Sequence, residues 1–76
     1  MDYKKLFEDK KNGKVDEHMT IVMDNDGGYW QCDNFDLTEE QRDEKEKLYK
    51  ERYGTPDGYG DIVEILNAAG MNAEWC

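Results

Sequence analysis

The first segment of the chain carries its apolar residues at helical spacing. Tyr3, Leu6 and Phe7 stand at positions i, i+3 and i+4, which places them on one face of a helix. Gly13 follows, and glycine readily takes the left-handed conformation that ends a helix. The pattern therefore predicts a short helix over residues 2–11 with one buried stripe.

Two β-rich runs follow, separated by a turn-forming segment. Residues 19–23 read Met-Thr-Ile-Val-Met and residues 29–32 read Tyr-Trp-Gln-Cys, with Asp-Asn-Asp-Gly-Gly between them. Asp-Gly and Gly-Gly steps tolerate the positive φ angles that tight hairpin turns demand. We expect an antiparallel hairpin whose faces both carry apolar side chains, so that helices cover one face and leave the other partly free.

A second helix begins with a capping box. Thr38 and Gln41 occupy its first and last positions, where each side chain accepts a hydrogen bond from the other residue's backbone N–H. The prediction is a helix over residues 38–53 that stops at Gly54. Its first half, residues 39–47, contains no hydrophobic side chain, so that half is either solvated or in contact with a partner.

The last third of the chain predicts a turn, a helix and a strand. A turn is expected over residues 55–58, and a third helix over residues 59–69. Met71, Ala73 and Trp75 then alternate with polar residues, as in a strand with one buried face. That strand would add to the hairpin and complete a three-stranded antiparallel sheet. The stripe expected to be buried in the third helix consists of Ile62, Ile65, Leu66 and Ala69.

The order α-β-β-α-α-β predicts a small α+β fold. With 76 residues and 37% apolar content, the chain allows one domain, residues 1–76, with a small core. Its antiparallel hairpin, extended to three strands by the tail, would pack with two or three short helices.

Acidity is the strongest compositional feature. Nineteen Asp and Glu residues face ten Lys and Arg residues, for a net charge of −9. Phosphate backbones and anionic lipid surfaces repel such a chain, so direct nucleic-acid or membrane binding is not expected and basic protein surfaces are the favoured partners. The plain alternative is that the acidity only keeps a small protein soluble.

Targeting signals and cysteines indicate a reducing compartment. The N-terminal residues lack the apolar stretch of a signal peptide, and no apolar run approaches the length that spans a membrane. We therefore expect a cytoplasmic protein whose two cysteines, Cys32 and Cys76, remain reduced, although a disulfide between them stays open. With His18 as the only histidine, Cys and His cannot supply four zinc ligands.

The sequence contains few residue patterns that indicate catalysis. The chain has no serine, which removes a Ser-His-Asp triad, and a Cys32–His18 pair is more simply a buried cysteine beside a surface histidine. The Asp-Asn-Asp-Gly-Gly run at residues 24–28 lacks the later ligands of a calcium loop and serves as turn chemistry. We expect no catalytic residue, no metal and no cofactor, and hence not an enzyme.

Two groups of residues are candidates for binding a partner. The first is a run of acids at the start of the second helix, whose like-charge neighbours cost stability unless they serve a purpose. A solvated helix start that matches the helix dipole would explain the same acids, and both interpretations stay open. The acidic run comprises Asp33, Asp36, Glu39, Glu40, Asp43, Glu44 and Glu46.

The second group is a surplus of aromatic residues, which so small a core cannot bury completely. Tyrosine and tryptophan beside an acidic rim are typical of protein-binding hot spots. We expect an exposed pair among these residues, which would also allow a homodimer. The candidate anchors are Tyr29, Trp30, Tyr49 and Tyr53, and the wider set adds Tyr59 and Trp75.

In size, charge and lack of a catalytic motif, the chain resembles the small acidic inhibitors that bacteriophages encode, among them anti-CRISPR proteins and the uracil-glycosylase inhibitor. The resemblance is one of class, so it transfers no functional positions. It implies a non-catalytic inhibitor in the host bacterial cytosol that covers a basic nucleic-acid-binding protein, such as a Cas effector or complex. The alternative is a regulatory or adaptor module that binds a host protein through an aromatic patch, with incidental acidity.

Overall fold

The computed structural model describes residues 1–57 and 60–76, and it has the predicted α+β architecture. The order α-β-β-α-α-β is confirmed. The elements are α1 (Tyr3–Lys11), β1 (Met19–Asp24), β2 (Gly27–Cys32), α2 (Glu39–Tyr53), α3 (Ile62–Ala68) and β3 (Asn72–Trp75).

The three strands form one mixed sheet in the order β2-β1-β3. β1 and β2 are antiparallel, as predicted, and Asp24 pairs with Gly27 around a two-residue loop. Gly27 has a φ of 121°, a conformation that side chains on other residues disfavour. The hairpin prediction is therefore confirmed, and the turn is tighter than the five-residue segment suggested.

The expectation that the third strand is antiparallel is wrong, because β3 runs parallel to β1 and pairs Thr20 with Asn72. The path of the chain explains the direction. α2 leads back from the Cys32 end of the hairpin to its loop end, where the Gly28 N–H donates to the Pro56 carbonyl at 2.9 Å. α3 then returns the chain to the end where β1 begins. Two reversals thus bring β3 into the sheet in the direction of β1.

The core lies on one face of the sheet, against α2 and α3. Alternation along β1 directs Met19, Ile21 and Met23 into this core, while Thr20 and Val22 belong to the opposite face. One face is thus covered by helices, as expected. The buried cluster comprises Leu6, Met19, Ile21, Met23, Trp30, Cys32, Tyr49, Tyr53, Ile62, Leu66 and Met71.

Helix ends follow the capping chemistry of the sequence. Asp2 is the N-cap of α1 and its side chain accepts from the Lys5 N–H at 3.1 Å, so the helix begins one residue later than predicted. In α2 the capping box is complete: the Gln41 N–H donates to Thr38 Oγ1 at 3.1 Å, and the Thr38 N–H donates to Gln41 Oε1 at 2.9 Å. Gly54 ends α2 with a φ of 92°.

The segment between α2 and α3 differs from the prediction. Residues 55–57 run beside β2 and bury Pro56 instead of turning, and the last position of the predicted turn, Gly58, lies outside the described residues. The predicted start of the third helix, Tyr59, also lies outside them. α3 has only two turns, in which Ile62 and Leu66 are buried and Val63 packs, partly buried, against the core.

Ile65 and Ala69 are exposed, against the prediction that they share the buried stripe of α3. The two cysteines are free. Cys32 pairs with Met19, whereas Cys76 follows the residue that pairs with Met23. Four residues of strand separate these positions by about 13 Å, beyond the reach of a disulfide.

A buried carboxylate joins α1 to α2. Asp9 Oδ2 accepts from Arg52 Nη2 at 2.8 Å, from Arg52 Nε at 3.1 Å and from the Tyr53 hydroxyl at 2.8 Å. These donors, with the arginine first, hold the pKa of Asp9 below its usual value. Because its folded-state pKa is lowered, Asp9 stabilises the fold above the pKa of the unfolded chain, and that stabilisation is lost as pH falls.

We predict that Asp9→Asn lowers the free energy of unfolding at neutral pH, because it removes the charged acceptor. The deficit relative to the parent should shrink as pH falls below about 4, because Asp9 of the unfolded parent takes up a proton there while the folded carboxylate does so only at lower pH. Urea unfolding at a series of pH values measures this difference. Glu64→Gln, at an exposed position of α3, is the control and should follow the parent. A deficit that is equal at all pH values would contradict the assignment.

Candidate protein-binding surface

Five of the seven predicted acids form an exposed cluster, named here the acidic ridge. The capping box starts α2 at Glu39, and the acidic side chains of its first two turns lie at the N-terminal end of the helix. The Cβ atoms of residues four apart on a helix lie about 5–6 Å from each other. Glu39 is therefore a neighbour of Asp43, and Glu40 is a neighbour of Glu44. The acidic ridge comprises Asp36, Glu39, Glu40, Asp43 and Glu44, all exposed.

The carboxylates of the acidic ridge are free of partners within residues 1–57 and 60–76. The ion pairs of the fold use other residues: Lys45 Nζ lies 2.6 Å from Asp16 Oδ2, and Arg52 pairs with Asp9. Lys45 and a backbone N–H lower the pKa of Asp16, and Asp16 raises the pKa of Lys45. The ridge acids are thus unneutralised by direct contact.

The other two predicted acids make hydrogen bonds inside the fold, so they are not among the free carboxylates of the acidic ridge. Asp33 accepts from the Thr20 hydroxyl at 2.5 Å and from the Gln31 amide at 2.9 Å. Glu46 Oε1 accepts from the Cys32 N–H at 2.8 Å. β2 is an edge strand, so its outward N–H groups need acceptors, and Glu46 on the side of α2 that faces this edge provides one.

Three of the four predicted aromatic anchors belong to the core. Trp30, Tyr49 and Tyr53 pack together with ring centroids 5.2–5.8 Å apart, and all three are buried. Their polar atoms bond inside the protein: Trp30 Nε1 donates to the Gly54 carbonyl at 3.0 Å. Because the two tyrosines stand at i and i+4 on α2, they form its buried stripe and are unavailable as surface anchors.

Among the described residues of the predicted set, Tyr29 and Trp75 are exposed, at 48% and 49%, and Tyr59 lies outside the described residues. Tyr29 pairs with Val22, and Trp75 pairs with Met23. Neighbouring positions of β1 point to opposite faces of the sheet, so the two rings do too. The expected exposed pair therefore exists, but it does not form one patch, and Tyr29 belongs to the face opposite α2.

Sequence reasoning missed Phe35, whose side chain is 81% exposed. It lies in the turn between β2 and α2, immediately before the acidic ridge, and the Arg42 guanidinium carbon sits 5.3 Å from its ring centroid. A lone phenylalanine in a loop has no periodic partner, so hydrophobic spacing could not distinguish it from a core residue. Its Asn-Phe-Asp surroundings are the one sequence signal of a turn position.

Several open depressions lie on the described surface. One of about 370 Å³ lies at the edge of β2, and its lining includes Trp30, Pro56, Asp43, Lys47 and Lys50. The described residues contain no cluster of three or more His, Cys, Asp and Glu side chains that could hold a metal ion. His18 contacts Glu17 at 3.7 Å, and Cys32 is buried in the core.

Comparison of the chain with models of protein families, with curated proteins and with solved structures gives no match. Among the described residues, no helix has the length and apolar character needed to cross a membrane. Function is therefore inferred from the geometry and charge of the surface.

We predict that replacing an acid of α2 lowers the free energy of unfolding only where its carboxylate accepts a hydrogen bond inside the fold. Glu46→Ala should lower the free energy of unfolding by about 1–3 kcal/mol, since it leaves the Cys32 N–H without an acceptor. Glu44→Ala on the same helix should change it by less than about 0.5 kcal/mol, because its carboxylate is exposed and unpaired. Urea unfolding of both variants measures the difference, and equal losses would contradict the division.

Proposed function

We propose that this chain is a non-catalytic inhibitor that covers the basic surface of a nucleic-acid-binding protein with its acidic ridge. The cluster of five exposed, unpaired carboxylates at the start of α2 carries this proposal. It agrees with the class-level resemblance to phage-encoded inhibitors of the anti-CRISPR type. Under this proposal the protein acts in the bacterial cytosol, and its target is a Cas effector or complex, or another nucleic-acid-binding protein.

The charge density of the acidic ridge is close to that of a nucleic acid. Four carboxylates fall within the six residues 39–44, which span about 9 Å of helix. That amounts to one negative charge per roughly 2 Å, compared with about 1.7 Å for duplex DNA. Counting the positive charge of Arg42 brings the spacing to about 3 Å, near the 3.4 Å of one DNA strand. A groove that attracts phosphates would therefore attract this surface.

The ridge is also held in place before binding. Both bonds of the capping box fix the first turn of α2, and Glu46 and Lys45 tie the next turns to β2 and to Asp16. Ordering charged side chains on a mobile segment would cost binding free energy, and a preformed helix avoids most of that cost. The net charge of −9 adds long-range attraction, which speeds encounter with a basic partner.

The alternative, an adaptor that binds a host protein through an aromatic patch, has less support. Trp30, Tyr49 and Tyr53 lie in the core, so Tyr29 is the one exposed residue of the four proposed anchors. Tyr29 belongs to the sheet face opposite α2, away from the acidic ridge. An aromatic patch of the proposed composition is thus missing from the described surface.

Charge reversal on the ridge is the direct test of the proposal. We predict that Glu40→Lys combined with Asp43→Lys weakens binding to the target captured from bacterial lysate by at least about tenfold. The matched control, Glu8→Lys with Glu64→Lys, changes the net charge equally at exposed positions on α1 and α3. Binding of the control within about threefold of the parent is expected, and equal losses in both pairs would contradict a role for the ridge.

Salt gives a second, independent test. Because exposed charges are screened within about 10 Å at 0.1 M salt, affinity for the target should fall about tenfold or more between about 50 and 200 mM salt. Titration calorimetry at several salt concentrations measures this slope. The ridge-reversed pair should show a smaller slope than the control pair. An affinity that is insensitive to salt would favour the adaptor over the inhibitor.

A further inference from the structure

Phe35 is the most exposed large hydrophobic side chain among the described residues, at 81%. A single exposed apolar side chain is ordinary on a protein surface, so exposure alone indicates no site. Phe35 differs from the other exposed apolar residues, such as Leu48 of α2, in the hydrogen-bonded turn that holds its backbone and in the cation beside its ring.

The ring of Phe35 stands at the tip of a fixed turn. The Leu37 N–H donates to the Asn34 carbonyl at 3.2 Å, and the Asp36 N–H donates to Asn34 Oδ1 at 3.0 Å, which closes the turn around Phe35. The Arg42 guanidinium, 5.3 Å from the ring centroid, supports one side of the ring without burying it. Because the turn fixes the backbone at Phe35, the entropy lost when the ring enters a pocket is limited to that of the side chain.

Acids follow Phe35 along the chain, and among the described residues the charged group in contact with its ring is the Arg42 guanidinium. Asp36 is its neighbour in the turn, and Glu39 and Asp43 follow on the first turns of α2. A complementary partner must therefore offer an apolar slot for the ring together with cations beside it. Charge complementarity thus selects one kind of receiving surface, an aromatic or apolar slot within a basic groove.

Proteins that bind single-stranded nucleic acid have this combination, since bases stack on their aromatic side chains along a positively charged groove. Duplex-binding surfaces differ, because they contact phosphates and the edges of bases that remain stacked inside the helix. A ring that projects from an acidic surface matches the first kind of site and finds no counterpart in the second.

We propose that the site covered by this protein is a single-strand nucleic-acid site, in which Phe35 takes the place of an unstacked base and the acidic ridge takes the place of phosphates. This inference rests on the proposed function and names the class of target surface. It assigns Phe35 as the apolar anchor of the interface.

Displacement from immobilised nucleic acid tests the inference. Bacterial lysate is bound to beads that carry oligothymidylate or a duplex of equal length, and the purified protein is added in increasing amounts. The parent should release one or more proteins from the single-strand beads and leave the duplex-bound proteins in place. Mass spectrometry of the released fraction identifies the proteins and gives the concentration for half-release.

Two variants separate the ring from the charge. Phe35→Ala should raise the half-release concentration about tenfold or more, the effect of losing one stacking contact, while Phe35→Trp should restore release. Leu48→Ala is the matched control, an exposed apolar residue of α2 outside the turn, and should act like the parent. Urea unfolding should show all three variants to be as stable as the parent, because both positions are exposed.

The outcomes distinguish this inference from the function on which it rests. Release from duplex beads alone would overturn the single-strand inference and leave the inhibitor proposal standing. Release from single-strand beads by Phe35→Ala at the parent's concentration would overturn the role of the ring. Release from neither kind of bead would overturn both proposals, whereas single-strand release that needs Phe35 supports both.

Discussion

Two tyrosines hold α2 against the sheet, and the position of the acidic ridge depends on that contact. Tyr49 and Tyr53 are the only buried hydrophobic residues of this fifteen-residue helix, and both pack on Trp30 of β2. Trp30 in turn donates to the Gly54 carbonyl at the end of α2, which fixes the helix along its axis. Since aromatic side chains bury about 150–250 Å² each, so few contacts can anchor the helix. Its first half is left without apolar residues and therefore faces outward.

The helix dipole explains some of the acids at the start of α2 better than others. Glu39 and Glu40 lie in the first turn, where negative charge is favoured by the helix dipole, so a solvated helix start accounts for them. Asp43 and Glu44 lie one turn later, where the dipole effect has faded and like-charge neighbours cost about 0.2–0.5 kcal/mol per pair. Solubility alone does not require that these charges be concentrated beside Asp36. The second turn of the ridge is therefore the part that the helix dipole does not explain.

Most of the fold was predictable from the sequence because its signals are local. The capping box of α2, the turn residues of the hairpin and the alternation that forms β3 each depend on a few neighbouring residues. The direction of β3 was not predictable in this way, since it depends on how far α2 and α3 carry the chain back across the sheet. The buried stripe of α3 was also misassigned: Ile65 and Ala69 fit helical spacing, but the helix faces the core with Ile62, Val63 and Leu66 instead.

The candidate site was less predictable than the fold, because residue type does not decide exposure. Tyr49 and Trp30 suit a binding surface as well as a core, and their burial follows from the tertiary contact of α2 with β2. Glu46 has the same side chain as Glu44, yet one serves a backbone N–H and the other faces solvent. Phe35 could not be separated from core residues by spacing, since its exposure results from the turn that closes around it.

The negative surface of α2 results from orientation more than from composition. The helix contains six acids and five basic residues, so its sequence is nearly neutral. The fold directs Lys45 to Asp16 and Arg52 to Asp9, and these basic groups neutralise acids of α1 and of the loop after it. Arg42 is turned toward the Phe35 ring. With these cations directed to other acids or to the ring, the first two turns of α2 present carboxylates to solvent, next to the exposed Phe35 of the preceding turn. The start of α2 is therefore more negative than the near-neutral sequence of the whole helix would suggest.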